Sequence, residues 1–407
     1  MKRNIVTTIE FSTGQIKMQV IEILSNNVVE IFSSSSPLKK SFAFLSESID
    51  KVNKLIGGKI KEAIAIVSPS KKVNEKITLA KESLRIADDF VTKKDIDNLI
   101  ELTKQKHTSE TRETILVQPL QFEVKGQLVK KYSSAPIHKK GETIAATMAI
   151  TTIDPSVVNY IKSTIKSVGL SVSKILLKPQ TISQNNLSSN ALAEGAILIN
   201  IGQDQSFVTI NKNLGTISLL SFYKSGYKQL KVAVSKAFGC SYQDAQNLIA
   251  IYGSIAANDN SVIYLEQSGM KIIQHTVFEL KNIIESFINR LLALSRKYLG
   301  QKSAFKLPIV FSGEITKMNC FEKIARQIFD ETPISIYSPM TYIETREKSR
   351  SAIGLIHFNK RMDQVLDRQF NTVVETNPNA FSSLRKESKG LFAKIFLKLG
   401  GRNEWMN

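Results

Sequence analysis

The sequence predicts an α/β protein of two similar lobes, the first interrupted by a small α+β unit. Two stretches far apart, residues 4–24 and 196–223, each read as strand, turn, strand. Amphipathic helical patterns follow in both halves. A set of alternating segments between residues 113 and 152 stands outside this repeated logic.

Residues 4–10 and 15–24 are predicted strands around the turn Phe11-Ser12-Thr13-Gly14. Ile16, Met18 and Val20 alternate with Lys17, Gln19 and Ile21, as a strand requires. Val28–Phe32 supplies a third strand, Phe42–Leu55 has helical spacing, and Ala63–Val67 is an apolar run suited to a buried strand. After Pro69 the pattern changes. Thr92 starts a helix, Lys93–Thr103, with Asp95 in its first turn. Two strands follow, Glu113–Pro119 and Gln121–Lys125, then a basic loop ending at Gly141, then the strand Glu142–Thr152.

Asp154-Pro155-Ser156 opens a helix whose apolar stripe is Val157, Ile161, Ile165 and Val168, stopped at Gly169. Val172–Leu177 is a strand, and the polar stretch Ser183–Glu194 reads as a connection. The second half repeats the opening with strands Ala196–Gly202, Ser206–Asn211 and Thr216–Tyr223. Helices Tyr227–Phe238, Ser241–Ile251 and Thr276–Leu299 come next, then strand Ile309–Phe311 running into Ser312-Gly313, then helix Cys320–Ile328. Ala352–Phe358 is a last core helix, and residues 361–388 are polar and linker-like. Paired halves of this kind are the trace of the actin/Hsp70/sugar-kinase architecture, with ribonuclease H-like halves. There, two β-turns present backbone N–H groups to phosphate.

Composition narrows the function classes. The 407 residues suffice for two or more cored domains. The start of the chain lacks the apolar stretch of a signal peptide, and no window approaches the length of a bilayer span. These features place the protein in the cytoplasm. Two cysteines, Cys240 and Cys320, are too few for a disulfide scaffold and read as reduced thiols. The net charge of +19 asks for an anionic partner or reflects a lysine-rich genome. Basic residues concentrate on an apolar helix only in the last two dozen positions, and RNA-type aromatic–basic interleaving is missing. Location thus favours a lipid surface over nucleic acid. His107, His138, His275 and His357 show no metal-ligand spacing, and no Walker A loop, G-x-G-x-x-G or nucleophile elbow is present.

Between residues 112 and 144 a family becomes recognisable. Arg112-Glu113-Thr114-Ile115-Leu116-Val117-Gln118-Pro119, Phe122-Glu123-Val124-Lys125-Gly126, Pro136-Ile137 and Gly141 resemble the insertion subdomain of the FtsA family. The register continues through Val168-Gly169-Leu170, Leu177-Lys178-Pro179 and Tyr252-Gly253. The resemblance covers nearly the whole chain in order. It implies an actin/Hsp70-like fold in which residues 1–82 and 154–195 form the first lobe and 83–153 the inserted subdomain. Residues 196–235 and 304–360 then form the second lobe, 236–303 a helical subdomain, 361–387 a linker and 388–407 an amphipathic helix and tail.

The resemblance also implies an ATP site with Mg²⁺, and places Glu10, Ser12, Thr13, Asn200, Gly202, Ser206 and Gly313 in it. The phosphate loops depart from the family pattern. The family's first loop reads Asp-Ile-Gly where this chain has Glu10-Phe11-Ser12, and its second-loop Asp and glycine run become Asn200, Gln203 and Asp204. Glycine lets a backbone amide approach phosphate closely, and a neutral Asn is a weaker partner for a hard cation. Either the site holds ATP with unusual ligands or the turns persist because the fold needs them. No positioned base points to hydrolysis.

Residues 388–399 read Ser-Lys-Gly-Leu-Phe-Ala-Lys-Ile-Phe-Leu-Lys-Leu. At about 100° per residue, Leu391, Phe392, Ile395, Phe396 and Leu399 share a face about 140° wide, with Lys394 and Lys398 opposite its centre or on its flank. Trp405 follows a Gly-Gly stop, where an indole suits headgroup depth. The pattern fits an interfacial helix on anionic lipid. By resemblance, the protein is a cell-division adaptor that tethers FtsZ filaments to the inner face of the cytoplasmic membrane and self-associates. The FtsZ C-terminal tail would bind residues 236–303, with Lys271, Lys281 and Arg290 as contacts. A PilM-like pilus-assembly module and an ATP-hydrolysing enzyme of the same superfamily are the alternatives.

Overall fold

The computed structural model describes residues 2–24, 28–253, 261–267, 271–304, 306–330, 332–337, 350–366 and 373–375. The chain opens with β1 (Lys2–Ser12), β2 (Gln15–Ile23), β3 (Val28–Pro37), α1 (Ser41–Ile56) and β4 (Glu62–Val67). An inserted unit follows: β5 (Lys76–Arg85), α2 (Lys93–His107), β6 (Glu113–Lys125), β7 (Val129–Tyr132) and β8 (Thr143–Ile153). Then come α3 (Pro155–Ser167), β9 (Ser171–Leu177), α4 (Lys178–Asn186) and α5 (Ser189–Glu194). The second half holds β10 (Ala196–Ile201), β11 (Ser206–Lys212), β12 (Gly215–Phe222), α6 (Tyr227–Phe238), α7 (Tyr242–Tyr252), β13 (Val262–Gln267) and β14 (Lys271–Thr276). It continues with α8 (Val277–Gln301), β15 (Ile309–Gly313), α9 (Asn319–Ile328), β16 (Ile334–Ile336), α10 (Arg350–Leu366) and β17 (Val373–Glu375).

The two main sheets share one topology. The first has the order β3-β2-β1-β4-β9, the second β12-β11-β10-β15-β16. In each, the first three strands are antiparallel and the central strand pairs in parallel with the fourth. Register makes the correspondence residue-specific: Phe11 pairs with Val67, Ile201 with Gly313. Glu10 and Asn200 therefore occupy equivalent positions, one residue before the last paired one.

Side-chain alternation gives each sheet two buried faces. On the outer face of the first, Ile9, Ile16 and Met18 pack under Leu45 and Val52 of α1 and Ile161 and Ile165 of α3. On its inner face, Val6, Ile21, Ile64 and Leu176 join Phe122, Ile144 and Ile150 of the insertion and Leu355, Ile356 and Phe358 of α10. The outer face of the second sheet, Ile197, Ile199 and Ile201, meets Leu230, Val234 and Leu280 of its helices. Its inner face packs Leu198 and Phe207 against Ile182 and Leu187 of α4 and Leu192 of α5. Glu10 shares the face of Val6, and Asn200 that of Leu198; both stand on inner faces.

Several sequence expectations change here. The insertion begins at or before Lys76, because β5 pairs along its length with β8, so a boundary at residue 83 cuts a strand. The predicted strands Glu113–Pro119 and Gln121–Lys125 are one strand, β6, which passes Pro119 through a register shift. The polar connection Ser183–Glu194 is helical, in α4 and α5. Residues 350–360, assigned by sequence to the second lobe, lie in α10, which packs on the inner face of the first sheet. Residues 361–366, expected in a linker, belong to α10, which runs to Leu366, and β17 adds antiparallel to the start of β1. The residues expected from the sequence to meet a membrane, Leu391, Phe392, Lys394, Ile395, Phe396, Lys398, Leu399 and Trp405, lie outside the described residues.

Candidate functional site

In open α/β sheets ligands bind beyond the carboxyl ends of the parallel strands. In the first lobe three such ends converge. β1 delivers Glu10 and Ser12, the residue after β4 is Ser68, and Lys178 follows the end of β9. The Ser68 backbone N–H donates to the Phe11 carbonyl at 2.9 Å, binding the ends together. Lys178 Nζ donates to Glu10 Oε1 at 2.6 Å. The Ser12 hydroxyl donates to the same oxygen at 3.0 Å and lies 3.0 Å from the Ser68 hydroxyl.

Glu10 is 6% exposed. Burial alone pushes its carboxyl up. The Lys178 ammonium, the Lys17 charge and the Ser12 hydroxyl outweigh burial and hold it below the ordinary glutamate value. Lys178 is the first residue of α4, where a cation opposes the helix dipole, so it needs a carboxylate at this place. Thr13 is exposed in the two-residue turn, and Gly14 adopts φ +78°, which favours glycine.

The second lobe is arranged differently. Asn200 is buried and its amide nitrogen donates to the Ser312 hydroxyl at 2.8 Å. Gly313 has φ +110°, and a β-carbon there would overlap the Ile201 carbonyl. Ser206 is tied to Ser225 by its N–H at 3.1 Å and its hydroxyl at 2.8 Å. The loop between β10 and β11 folds over α6. The carbonyls of Gly202 and Gln203 accept from the N–H groups of Tyr227 and Lys228, each at 2.8 Å. These carbonyls occupy donors that a helix N-terminus otherwise offers an anion. Asp204 is exposed and only loosely paired with Lys228, at 3.9 Å.

The structure therefore brings Glu10 and Ser12 together, and Asn200 with Gly313 through Ser312; Thr13 and Ser206 stand apart from these pairs. Sequence reasoning missed Lys178 and Ser68. A lysine directly after a buried strand and at a helix start is the signal that finds Lys178. Also missed is Lys231, 7% exposed, which lies 5.0 and 4.8 Å from the ring centres of Tyr227 and Tyr242 and donates to Gln246 at 3.0 Å. Burial and the nearby Glu314 charge push the Tyr227 hydroxyl up.

The donors suit Mg²⁺ poorly. That ion demands oxygen ligands in near-octahedral order. Glu10 Oε1 is already shared by an ammonium and a hydroxyl, and Asn200, whose amide nitrogen donates to Ser312, offers only a neutral amide oxygen in place of a carboxylate. Among the described residues no group of three His, Cys, Asp or Glu side chains is placed to hold a metal.

Of the predicted peptide contacts, Lys271 lies on β14, while Lys281 and Arg290 both lie on α8. Nine residues apart, the latter two sit on opposite sides of the helix. Arg290 is exposed, with its guanidinium 5.9 Å from the Phe287 ring centre. At the opposite end of the second sheet a cavity of about 450 Å³ is lined by Arg296, Lys306, Phe329 and Asp330, among others. No described helix is long and apolar enough to cross a membrane.

No family model matches the chain. It is 21% identical over 399 residues to the cell division protein FtsA of Buchnera aphidicola subsp. Schizaphis graminum, covering 88% of this chain and 91% of that protein. It is 19% identical over 296 residues to FtsA of Enterococcus faecalis, covering 71% and 65%. Among solved structures, a chain of the PilM-PilN type IV pilus biogenesis complex superimposes with TM-score 0.54 at 11% identity, over 88% of this chain and 98% of that one. MreB5 of Spiroplasma citri bound to ADP does so with TM-score 0.52 at 11% identity, over 90% and 99%. In fold the chain is actin-like, and in sequence it is FtsA-like and divergent.

Proposed function

We propose that the chain is a cell-division adaptor that tethers FtsZ filaments to the inner face of the cytoplasmic membrane at the division site. The observation that supports this most is the four-stranded unit inserted between β4 and α3. Its strand β6 carries the densest FtsA-like residues, and the likeness to FtsA extends over 88% of the chain. The body is proposed to self-associate as an actin-like protofilament, with residues 388–407 lying on anionic lipid as an amphipathic helix. A single such helix binds reversibly, and a row of them along a polymer binds with far higher avidity.

Within this reading, the FtsZ C-terminal tail docks on the helical subdomain, where Arg290, beside Phe287, is exposed and Lys281 is half-buried. A nucleotide of the ATP class is proposed at the carboxyl ends of the two sheets, through the turns that carry Glu10, Ser12, Thr13, Asn200, Gly202, Ser206 and Gly313. Its proposed role is to bias assembly.

The test is a pull-down with the immobilised FtsZ tail of the same cell, scored with and without ATP. The proposal expects retention of the full chain, lowered by Arg290→Glu. Absence of retention in both conditions rules out the FtsZ link.

A further inference from the structure

We infer that Lys178 takes the place of a divalent cation at the first phosphate loop, so that the cleft binds the polyphosphate of a nucleotide in metal-free form. The inference rests on the nucleotide reading above. The ammonium sits 2.6 Å from Glu10 Oε1. Glu10 is the one acid at the carboxyl end of β1, and its counterpart in the second sheet is the neutral Asn200. A divalent ion entering this place would have to displace the ammonium from a buried carboxylate or share that carboxylate with it, and like charges repel strongly at such distances.

Lys178 is pinned on one side and open on the other. Its side chain is 30% exposed against 8% for Glu10, and one N–H is committed to the carboxylate. A lysine ammonium has three donors, and two of them remain for phosphate oxygens. The Ser12 and Ser68 hydroxyls lie beside it as further polar groups. Together Glu10, Lys178 and Asn200 carry no net charge. The cation at this place is thus one that belongs to the chain, fixed to Glu10.

The experiment is equilibrium binding of ATP to the full chain, in excess magnesium and in EDTA. It is repeated for Lys178→Gln and for the double variant Glu10→Gln/Lys178→Gln, with circular dichroism to confirm folding. Wild-type affinity is expected to be the same, within about twofold, in both media. Both variants are expected to weaken binding by about tenfold or more through loss of a charge-assisted contact. If Lys178→Gln misfolds because Glu10 is left without a counter-ion, the double variant carries the comparison. Binding that requires magnesium, or variants that bind as wild type does, overturns the inference and leaves the nucleotide site standing. No ATP binding in either medium overturns both.

Discussion

Lys178→Met leaves the Glu10 carboxylate buried with no counter-ion, and the size of the resulting loss can be worked from the geometry. At 2.6 Å and an effective dielectric of about 20 the pair attracts by about 6 kcal/mol. Desolvation of the two groups takes back several kcal/mol, so the intact pair is worth little against an apolar replacement of both. Breaking it from one side is different, because the remaining charge has neither partner nor water; such losses run about 3–5 kcal/mol. Lys178 keeps 30% of its side chain in solvent, so water partly replaces it, and about 2–4 kcal/mol is expected. Urea denaturation followed by circular dichroism at neutral pH reads this directly. Glu10→Met/Lys178→Met should return close to wild type.

Acid adds a second check on the same pair. The folded Glu10 carboxyl is held below its ordinary value, so the stabilisation is complete above the unfolded glutamate pKa. It is lost as pH falls through the folded value, and the gap between wild type and Lys178→Met should shrink there. A single variant within about 1 kcal/mol of wild type, or a double variant as unstable as the single, would refute the reasoning.

Three further outcomes follow from other sites. Gly313→Ala forces a β-carbon into the Ile201 carbonyl at a φ of +110°; a loss of about 2 kcal/mol or more in urea is expected, and an unchanged midpoint contradicts the close approach. Phe358→Ala empties a fully buried position between α10 and the insertion, at a cost of about 3–5 kcal/mol by the same assay. Burial pushes the Glu75 carboxyl up despite the Tyr223 hydroxyl at 3.1 Å, so its ionisation opposes folding at neutral pH. Glu75→Gln should raise the thermal midpoint at pH 7, and the gain should vanish in acid below the unfolded glutamate pKa; an equal gain at both pH values refutes the assignment.

Much of the architecture was legible because two of its signals are local. The strand–turn–strand openings of both halves alternate cleanly, and Tyr227–Phe238 matches α6 end to end. What stayed hidden depends on partners distant in sequence. α4 shows no apolar stripe, because its buried face is polar. Gln180 donates to Thr151 at 2.9 Å, Ser183 lies 2.8 Å from the Thr209 hydroxyl, and Gln184 donates to the Leu214 carbonyl at 3.1 Å. These bonds replace apolar burial in joining insertion, connector and second sheet, so hydrophobic periodicity could not detect the helix. β5 was missed because Lys76, Lys81 and Glu82 dilute an alternation that matters only once β8 lies alongside. Pro119 looked like a strand end, yet the register shift beside it lets β6 continue. At the site, the family resemblance marked Glu10 and Asn200, but nothing local to Glu10 announces a lysine 168 positions later as its partner.

The adaptor account is tested most directly by co-flotation. FtsZ filaments are mixed with vesicles containing anionic lipid, with the full chain, with a chain ending at Lys386, and alone. The account predicts that FtsZ rises with the vesicles only when the full chain is present. FtsZ left in the dense fraction, or carried up equally by the shortened chain, contradicts it.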